Sequence, residues 1–392
     1  MKRISILALF ATVLAISFVR ANETGVSGQG KMKFRVLYKS DHLPAEAQKV
    51  LKGAHGGFTV DLAKGKGETY FSLKGAGIIQ ISSDLKSTRM IDTPEVMKNT
   101  NLHNTSIWHA PDAKSHLLFP GNEANKVFVT GLDGKLDATL STPEAGVDLG
   151  NPVPNEYFRS KGAFIPTDVE QSNGKLYITT GYSKLDYVLT ARISKTSPVE
   201  LAWNDLSFGG KGKGPGQFDT GHGITVLPKL KRLDIADRAN GEIDRFSMDG
   251  KYLSTVTMPK DSFPCDTYYL GKYAVVGSLN NPDKTKGAAI YIMENDKVIS
   301  TILPKEELGL TNFMHIHNAV LRQIGKKLYV IAQAWNPGDF AIFEQVHEGG
   351  WPKTPGPVSS HAELCVTSRI DAVDLAAFAI RESRMIRSCC GA

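Results

Sequence analysis

The chain has 392 residues, of which 41% are hydrophobic and 22% are charged, with a formal net charge of +6. This length allows a sizeable core, either in one large β domain or in two ordinary domains. Residues 1–21 contain three basic residues and no acid, so the remainder carries 43 basic and 40 acidic residues. An excess of three positive charges is too small to indicate binding to nucleic acid, and we expect no such partner.

The N terminus has the pattern of a secretory signal peptide. Lys2 and Arg3 precede a short apolar run, which ends at the small-residue site Val19-Arg20-Ala21. This pattern predicts cleavage after Ala21 and a secreted or periplasmic protein that makes no membrane contact after cleavage. The alternative is an uncleaved membrane anchor, for which the apolar run is short.

The rest of the chain, to about residue 346, repeats a unit of short apolar strands separated by turns. The clearest copy is "PTDVEQSNGKLYITTGYSKLDYVLTARI" at 166–193, where "DVEQ", "KLYITT" and "YVLTARI" read as three strands. Later copies add a fourth strand, as in "YLSTVTM" after Asp249-Gly250. Long helical periods are absent, so the fold class predicted is all-β.

The residue that enters the first strand of each unit marks the repeat. In chain order these residues are His55, His103, Thr167, His222, Cys265 and His317. Their spacing fits blades of about 40–50 residues with some insertions. Six four-stranded units predict a six-bladed β-propeller over 32–346, with "MKFRVLYKS" at 32–40 supplying the strand that closes the ring. A pair of β-sandwiches is the alternative, but it would not give one position that recurs six times.

The repeat does not continue into the C-terminal residues. Residues 352–392 include the helical pattern "IDAVDLAAFAIRESRMI" and end in "CCGA". We expect a small appendage or a disordered end there, and we assign it no function.

Three of the six entry residues suggest a metal site. The first strand of a propeller blade lines the central channel, so the six entry residues lie on a circle at one rim. His103, His222 and His317 occupy alternate positions and should converge on the axis. Three imidazoles with an open axial position are typical of a catalytic zinc site. The alternative is that each histidine is an ordinary packing or turn residue.

The other histidines are expected to play lesser parts. His55 occupies an adjacent entry position and is either a fourth ligand or a pocket residue. We expect His315 to face away from His317 and to be no ligand, and we interpret His109 and His116 as structural.

Two loops should lie above the metal, because the loop between the second and third strands returns to the same rim. They are "GYSKLD" at 181–186 and "DRANGE" at 237–242. Tyr182 offers a phenol whose pKa a dication and a cationic side chain would lower, making it a usable base. Arg238 offers a planar guanidinium suited to a carboxylate. The alternatives are a tyrosine packed on the rim and an arginine paired with Asp237 or Glu242.

Residues 166–182, "PTDVEQSNGKLYITTGY", and 214–246, "GPGQFDTGHGITVLPKLKRLDIADRANGEIDRF", resemble the NHL-repeat propeller of peptidylglycine amidating lyase (peptidylamidoglycolate lyase). The similarity covers roughly residues 50–346. The resemblance implies zinc bound by His103, His222 and His317, a base at Tyr182 and a substrate-binding arginine at Arg238. It also implies cleavage of a carbinolamide, in which a peptide ending in α-hydroxyglycine gives a peptide amide and glyoxylate, or action on a related carboxylate-bearing substrate.

The sequence departs from the family pattern at three positions. Asn318 replaces the acid that helps bind a structural calcium ion, which puts calcium in doubt. Thr180 replaces the acid of the family's "DGY" turn, and Glu242 replaces the arginine of its "NGRI" turn.

Three functions are therefore open. The first is a secreted, monomeric zinc lyase that takes a small-molecule or peptide substrate at the channel rim. The second is a non-catalytic NHL-repeat propeller that serves as a binding platform for protein or glycan, because a propeller fold alone does not determine function. The third, a glycoside-active enzyme with paired carboxylates, would use Asp168, Asp237 and Asp266, but these positions usually stabilise turns.

Overall fold

Six small antiparallel sheets form the fold in the computed structural model, which describes residues 25–346. The predicted signal peptide and the predicted appendage at 352–392 lie outside the described residues. The innermost strands of neighbouring sheets contact one another in cyclic order, and that of the last sheet contacts that of the first. The predicted all-β, six-bladed β-propeller is therefore confirmed.

Two N-terminal strands precede the first blade: β1 (Ser27–Gln29) and β2 (Met32–Tyr38). Blade 1 follows with β3 (Thr59–Val60), β4 (Thr69–Leu73), β5 (Gly77–Ile81) and β6 (Thr88–Ile91). Blade 2 contains β7 (Ser106–His109), β8 (Ser115–Gly121), β9 (Lys126–Gly131) and β10 (Leu136–Ser141). Blade 3 contains β11 (Asp168–Ser172), β12 (Lys175–Thr179), β13 (Tyr187–Thr196) and β14 (Val199–Gly209).

Blade 4 contains β15 (Gly221–Leu227), β16 (Arg232–Asp237), β17 (Glu242–Ser247) and β18 (Tyr252–Thr257). Blade 5 contains β19 (Pro264–Leu270), β20 (Tyr273–Ser278), β21 (Ile290–Glu294) and β22 (Lys297–Ile302). Blade 6 contains β23 (His315–Ile324), β24 (Lys327–Trp335) and β25 (Asp339–Val346). Between residues 25 and 346, three short α-helices lie in connections: α1 (Ala45–Lys49), α2 (Glu95–Lys98) and α3 (Pro152–Arg159). In the described part of the chain, no helix is long and apolar enough to cross a membrane.

The ring closes through the N-terminal strands. Strand β2 pairs with β25, and β1 pairs with β2, so blade 6 combines strands from both ends of the propeller. The closing strand predicted at 32–40 is the observed β2. Its Phe34 is fully buried among side chains of blades 5 and 6, which gives the closure a hydrophobic basis.

The local sequence explains how each blade turns back on itself. Asn173 and Gly174 both have positive φ, which is the two-residue turn that hairpins prefer. Alternating apolar residues of the flanking strands are buried between blades, as with Val169, Ile178 and Leu189. The fourth strand of this blade, β14, lacks a sharp alternation of buried and exposed residues, so the sequence pattern does not predict it.

Candidate metal centre

Four histidines and one tyrosine converge where the innermost strands begin. His103, His222 and His317 are at most 2% exposed, whereas His55 and Tyr182 are partly exposed. The ring centroid of His103 lies 4.7 Å from that of His222 and 4.5 Å from that of His317. The centroid of His55 lies 4.6 Å from His103 and 4.3 Å from His317. The three histidines predicted from alternate blades therefore lie together, with His55 of the blade 1 segment beside them.

Each of the three buried histidines forms a hydrogen bond from Nδ1 to a backbone carbonyl of the following blade. The pairs are His103 with Thr167 (2.6 Å), His222 with Cys265 (2.7 Å) and His317 with Gly56 (2.9 Å). A carbonyl oxygen only accepts, so Nδ1 carries the proton in each ring and Nε2 keeps its lone pair. Such outer bonds are typical of metal-binding histidines, because they fix both tautomer and ring orientation.

The Nε2 atoms meet at short range with too few protons to satisfy them. His103 Nε2 lies 3.1 Å from His317 Nε2, so two lone pairs face each other. The Tyr182 hydroxyl lies 3.1 Å from both His103 Nε2 and His222 Nε2, and its single proton can reach only one of them. A cation bound between these atoms would remove the repulsion between their lone pairs.

The cation is better supplied by a metal than by a proton. Burial is the main cause that lowers the pKa of His103, His222 and His317 well below the usual value for histidine, so the rings stay neutral. Neutral imidazoles are the form that binds metals. Tetrahedral zinc with Zn–N bonds of about 2.0–2.1 Å separates two ligand nitrogens by roughly 3.3 Å, close to the observed contact. The residues present therefore fit a divalent transition metal.

One compact group of candidate ligands differs from the predicted triad. His55, His103 and His317 each offer a nitrogen within 4.8 Å of the others, whereas His222 lies outside this compact group. The Tyr182 hydroxyl lies between the rings of His222 and His103. His103 and His317 belong to both possible triads, and the third ligand is either His222 or His55.

The hydrogen bonds of His55 set it apart from the other three histidines. Its Nδ1 accepts from the side-chain amide of Asn101 at 2.9 Å, so its proton lies on Nε2. That Nε2 is directed at the Tyr182 hydroxyl, 3.5 Å away. In this tautomer His55 donates a hydrogen bond into the site, whereas a ligand nitrogen needs a free lone pair. The Trp335 ring stacks against His55, with the two ring centroids 5.4 Å apart.

β-Bulges explain how the innermost strands of blades 4 and 6 direct His222 and His317 into the cluster. The strand register shifts between Gly221 and Gly223 and between Ile316 and Asn318, which leaves His222 and His317 as extra, unpaired residues. A third shift lies around Cys265, which occupies the fifth entry position. A bulge inserts one residue into a strand and redirects its side chain.

The bulge also separates His315 from His317. Regular alternation would place residues two apart on the same face of a strand, so the extra residue at the bulge is what separates these two side chains. His315 Nδ1 instead lies 2.8 Å from the Leu279 carbonyl, outside the cluster. His109 and His116 bond to Ser115 and Asp137 of their own blade.

Arg238 lies against Tyr182. Its Nη1 donates to the Tyr182 hydroxyl at 3.1 Å, and its Cζ lies 5.2 Å from the centroid of the tyrosine ring. Within the described residues it forms no ion pair with Asp237 or Glu242, which was the alternative for this side chain. The loops at 181–186 and 237–242 therefore both reach the histidine cluster.

The protein alone does not lower the pKa of Tyr182. Burial raises that pKa, and the Arg238 guanidinium offsets only part of the rise. Arg238 alone therefore does not lower the pKa of Tyr182, and the lowering expected from a bound dication stays a prediction. Burial also raises the pKa of the Cys265 thiol to about 11, so it stays protonated near neutral pH.

The carboxylates beneath the site bind backbone and amide N–H groups. Asp168 accepts from Val169 and Ile224 N–H, and Asp266 accepts from the side-chain amides of Asn104 and Asn318 at 3.2 and 2.8 Å. The Asn318 amide nitrogen thus faces Asp266 where a cation would need an oxygen ligand. These bonds give Asp168 and Asp266 structural roles and leave the glycoside-active interpretation without support.

Comparison with known proteins finds a local likeness in sequence. No protein-family model matches the chain. A stretch of 88 residues is 36% identical to peptidyl-glycine alpha-amidating monooxygenase of Mus musculus and 35% identical to that of Rattus norvegicus. The matched stretch covers 22% of this chain and 9% of each relative.

Solved propeller structures also align with this chain. Virginiamycin B lyase from Staphylococcus aureus, solved with quinupristin, aligns with a TM-score of 0.46 at 12% identity and covers 82% of this chain and 100% of its own. A chain of the nidogen/laminin complex aligns with a TM-score of 0.44 at 13% identity, covering 75% of this chain and 96% of its own. At these scores the likenesses carry no functional argument.

Sequence reasoning missed two parts of the site. Asn101, which sets the tautomer of His55, lies two residues before His103 in a connection without a recognisable motif. Trp335 lies at the end of β24, and only the assembled ring brings it to His55.

Proposed function

We propose that this protein is an exported, zinc-dependent lyase that cleaves a carbinolamide, an N-acyl-α-hydroxyglycine, to an amide and glyoxylate. The observation that carries the proposal is the set of three buried histidines, each bonded through Nδ1 to a carbonyl and each with Nε2 close to the Tyr182 hydroxyl or to another histidine of the set. Arg238 donates to the same hydroxyl. The local similarity to the amidating proteins of mouse and rat supports the substrate class.

We assign the metal to His103, His222 and His317. The assignment of His222 rather than His55 rests on the tautomers, because His222 Nε2 has a lone pair and His55 Nε2 has a proton. When bound, zinc would supply Lewis acidity to a substrate oxygen. His55 then serves as a hydrogen-bond donor to the substrate.

Tyr182 and Arg238 act on the substrate from the exposed side of the cluster. Arg238 would bind the carboxylate, for which its guanidinium has the matching geometry. Tyr182 in its phenolate form would take the proton of the substrate hydroxyl. The C–N bond then breaks as the carbonyl of glyoxylate forms, and the amide nitrogen takes back a proton. The reaction needs no oxidant, since substrate and products balance.

Metal analysis of purified protein tests the ligand assignment. We expect about one zinc per chain in the wild-type protein and in His55→Ala, and loss of zinc in His222→Ala. His109→Ala is the matched control, because His109 lies away from the cluster and, among the described residues, bonds to Ser115 of its own blade and to Asp61. If zinc is retained in His222→Ala and lost in His55→Ala, the third ligand is His55 and not His222.

Turnover tests the reaction itself. Glyoxylate release from an N-acyl-α-hydroxyglycine should fall by about 10²–10⁴-fold in Tyr182→Phe while its zinc content stays unchanged. A wild-type protein with zinc but without glyoxylate release would rule out this substrate. A wild-type protein that binds no transition metal would favour the non-catalytic binding platform instead.

A further inference from the structure

A second cluster of possible metal ligands lies on blade 4, apart from the histidines. Asp237 ends β16 and pairs directly with Glu242, the first residue of β17, while Asp244 lies two residues further along the same face. The three side chains offer carboxylate oxygens within 4.8 Å of one another. Like charges placed directly opposite each other destabilise a sheet, so this arrangement needs a compensating partner.

One oxygen of this cluster has no hydrogen-bond partner among residues 25–346. Asp237 and Asp244 are fully buried, and Glu242 is partly exposed. Asp237 accepts from the Asp219 N–H and the Asn240 amide, at 2.8 and 2.6 Å. The Thr255 hydroxyl donates to Oδ1 of Asp244, but Oδ2 is buried without any hydrogen bond. A buried carboxylate oxygen left unpaired costs free energy that a cation would recover.

No basic side chain neutralises the cluster. Across residues 25–346, no ion pair joins a lysine or arginine to any of the three carboxylates, and Arg238 between them is directed at Tyr182. Burial accordingly raises the pKa of Asp237 to about 7 and that of Asp244 to about 6.

We propose that Asp237, Glu242 and Asp244 bind a hard divalent cation of the calcium type. Three carboxylates supply three oxygen ligands, or up to six when bidentate, toward the six to eight that calcium takes. The partial exposure of Glu242 leaves a side open for the ion and for water ligands. The cluster contains oxygen ligands alone, so it selects against the metals that prefer imidazole.

A cation bound to these carboxylates would also stabilise the turn that contains Arg238. Residues 238–241 connect the two strands that bear the carboxylates, so a bound cation ties both ends of this turn together. The cation would therefore stabilise blade 4 without contacting the histidine cluster.

Calorimetric titration of chelator-treated protein with calcium chloride tests the proposal. We expect one calcium per chain and a higher melting temperature when calcium is added. In Asp244→Asn and Glu242→Arg, affinity should fall at least about tenfold, and calcium should no longer shift the melting temperature. Glu144→Arg is the matched control, because Glu144 is exposed and lies outside the cluster. His222→Ala should bind calcium like the wild type, which separates this proposal from the proposed zinc chemistry.

Circular dichroism would establish that each variant is folded, and the isosteric Glu242→Gln replaces Glu242→Arg if the arginine prevents folding. Absence of calcium binding by the wild type at millimolar calcium would overturn the proposal. Wild-type affinity in both Asp244→Asn and the Glu242 variant would overturn it as well.

Discussion

At the scale of single residues, the position of the ring proton distinguishes His55 from the other three histidines of the cluster. The sequence shows only that imidazoles occupy four entry positions. The structure shows that three of them donate from Nδ1 to carbonyls, while His55 accepts at Nδ1 from Asn101. Sequence patterns do not predict these bonds, because the carbonyls and Asn101 approach from other parts of the ring.

His55 gives a measurable pH dependence in the chelator-treated protein. Burial, the main cause, lowers its pKa from 6.5 to about 4. The unfolded chain therefore takes up a proton at pH 5 that the folded protein does not. This stability is present above pH 6.5 and is lost as the pH falls toward 4, by roughly 2 kcal/mol between pH 7 and pH 5. Urea unfolding at both pH values should show a loss that is roughly 2 kcal/mol smaller in His55→Gln than in the wild type.

The control for this experiment is Leu253→Ala, because Leu253 is exposed and has no titratable group, so the variant should lose as much stability as the wild type between the two pH values. Taking the difference between variants removes the contribution of buried carboxylates, whose raised pKa values act in the opposite direction. Equal losses in the wild type and His55→Gln would contradict the pKa shift.

At the scale of strands, the bulges decide which side chains reach the axis. The repeat predicted that His103, His222 and His317 lie where the innermost strands of alternate blades begin. In the structure His222 and His317 lie in the first residues of β15 and β23, and His103 lies just before β7. Regular alternation of side chains did not predict that His222 and His317 are unpaired residues at bulges. A bulge depends on the pairing with the neighbouring strand, which the sequence pattern does not contain. The fourth strand of blade 3 was missed for a related reason, since its pattern of burial is irregular.

Gly223 tests the bulge that presents His222. A Cβ at this position would lie 2.5 Å from Asp266 Oδ1 and 2.6 Å from the Cys265 carbonyl, which accepts from His222 Nδ1. Gly223→Ala must therefore push β19 away from β15 and weaken this hydrogen bond. We expect a loss of about 1–3 kcal/mol in the free energy of unfolding. Zinc affinity should also fall, because the ring orientation of His222 is no longer fixed.

Gly146→Ala provides the control for the added methyl group, because its Cβ would meet no atom within 4 Å. Urea unfolding and zinc titration of both variants measure the two effects. Normal stability and zinc affinity in Gly223→Ala would mean that β15 and β19 can separate at no cost, against the close approach of the two strands at Gly223.

At the scale of the whole molecule, the histidine hydrogen bonds connect the blades in pairs around the ring. His103 joins blade 2 to blade 3, His222 joins blade 4 to blade 5, and His317 joins blade 6 to the segment leading into blade 1. A metal bound by these three residues would connect all the pairs at one point. Closure of the ring is thus required for the site, and it depends on the N-terminal strand β2.

Phe34 on β2 tests how far closure supports the whole propeller. Its side chain is fully buried in the cluster shared by blades 5 and 6, so Phe34→Ala should cost about 3–5 kcal/mol. Leu253→Ala is the control, because Leu253 is 50% exposed on β18 and should change stability by less than about 0.5 kcal/mol. If the ring unfolds as one unit, thermal unfolding of Phe34→Ala remains a single transition at lower temperature. A separate early transition confined to blade 6 would instead show that the other five blades are stable without closure, and that the histidine site opens before the propeller unfolds.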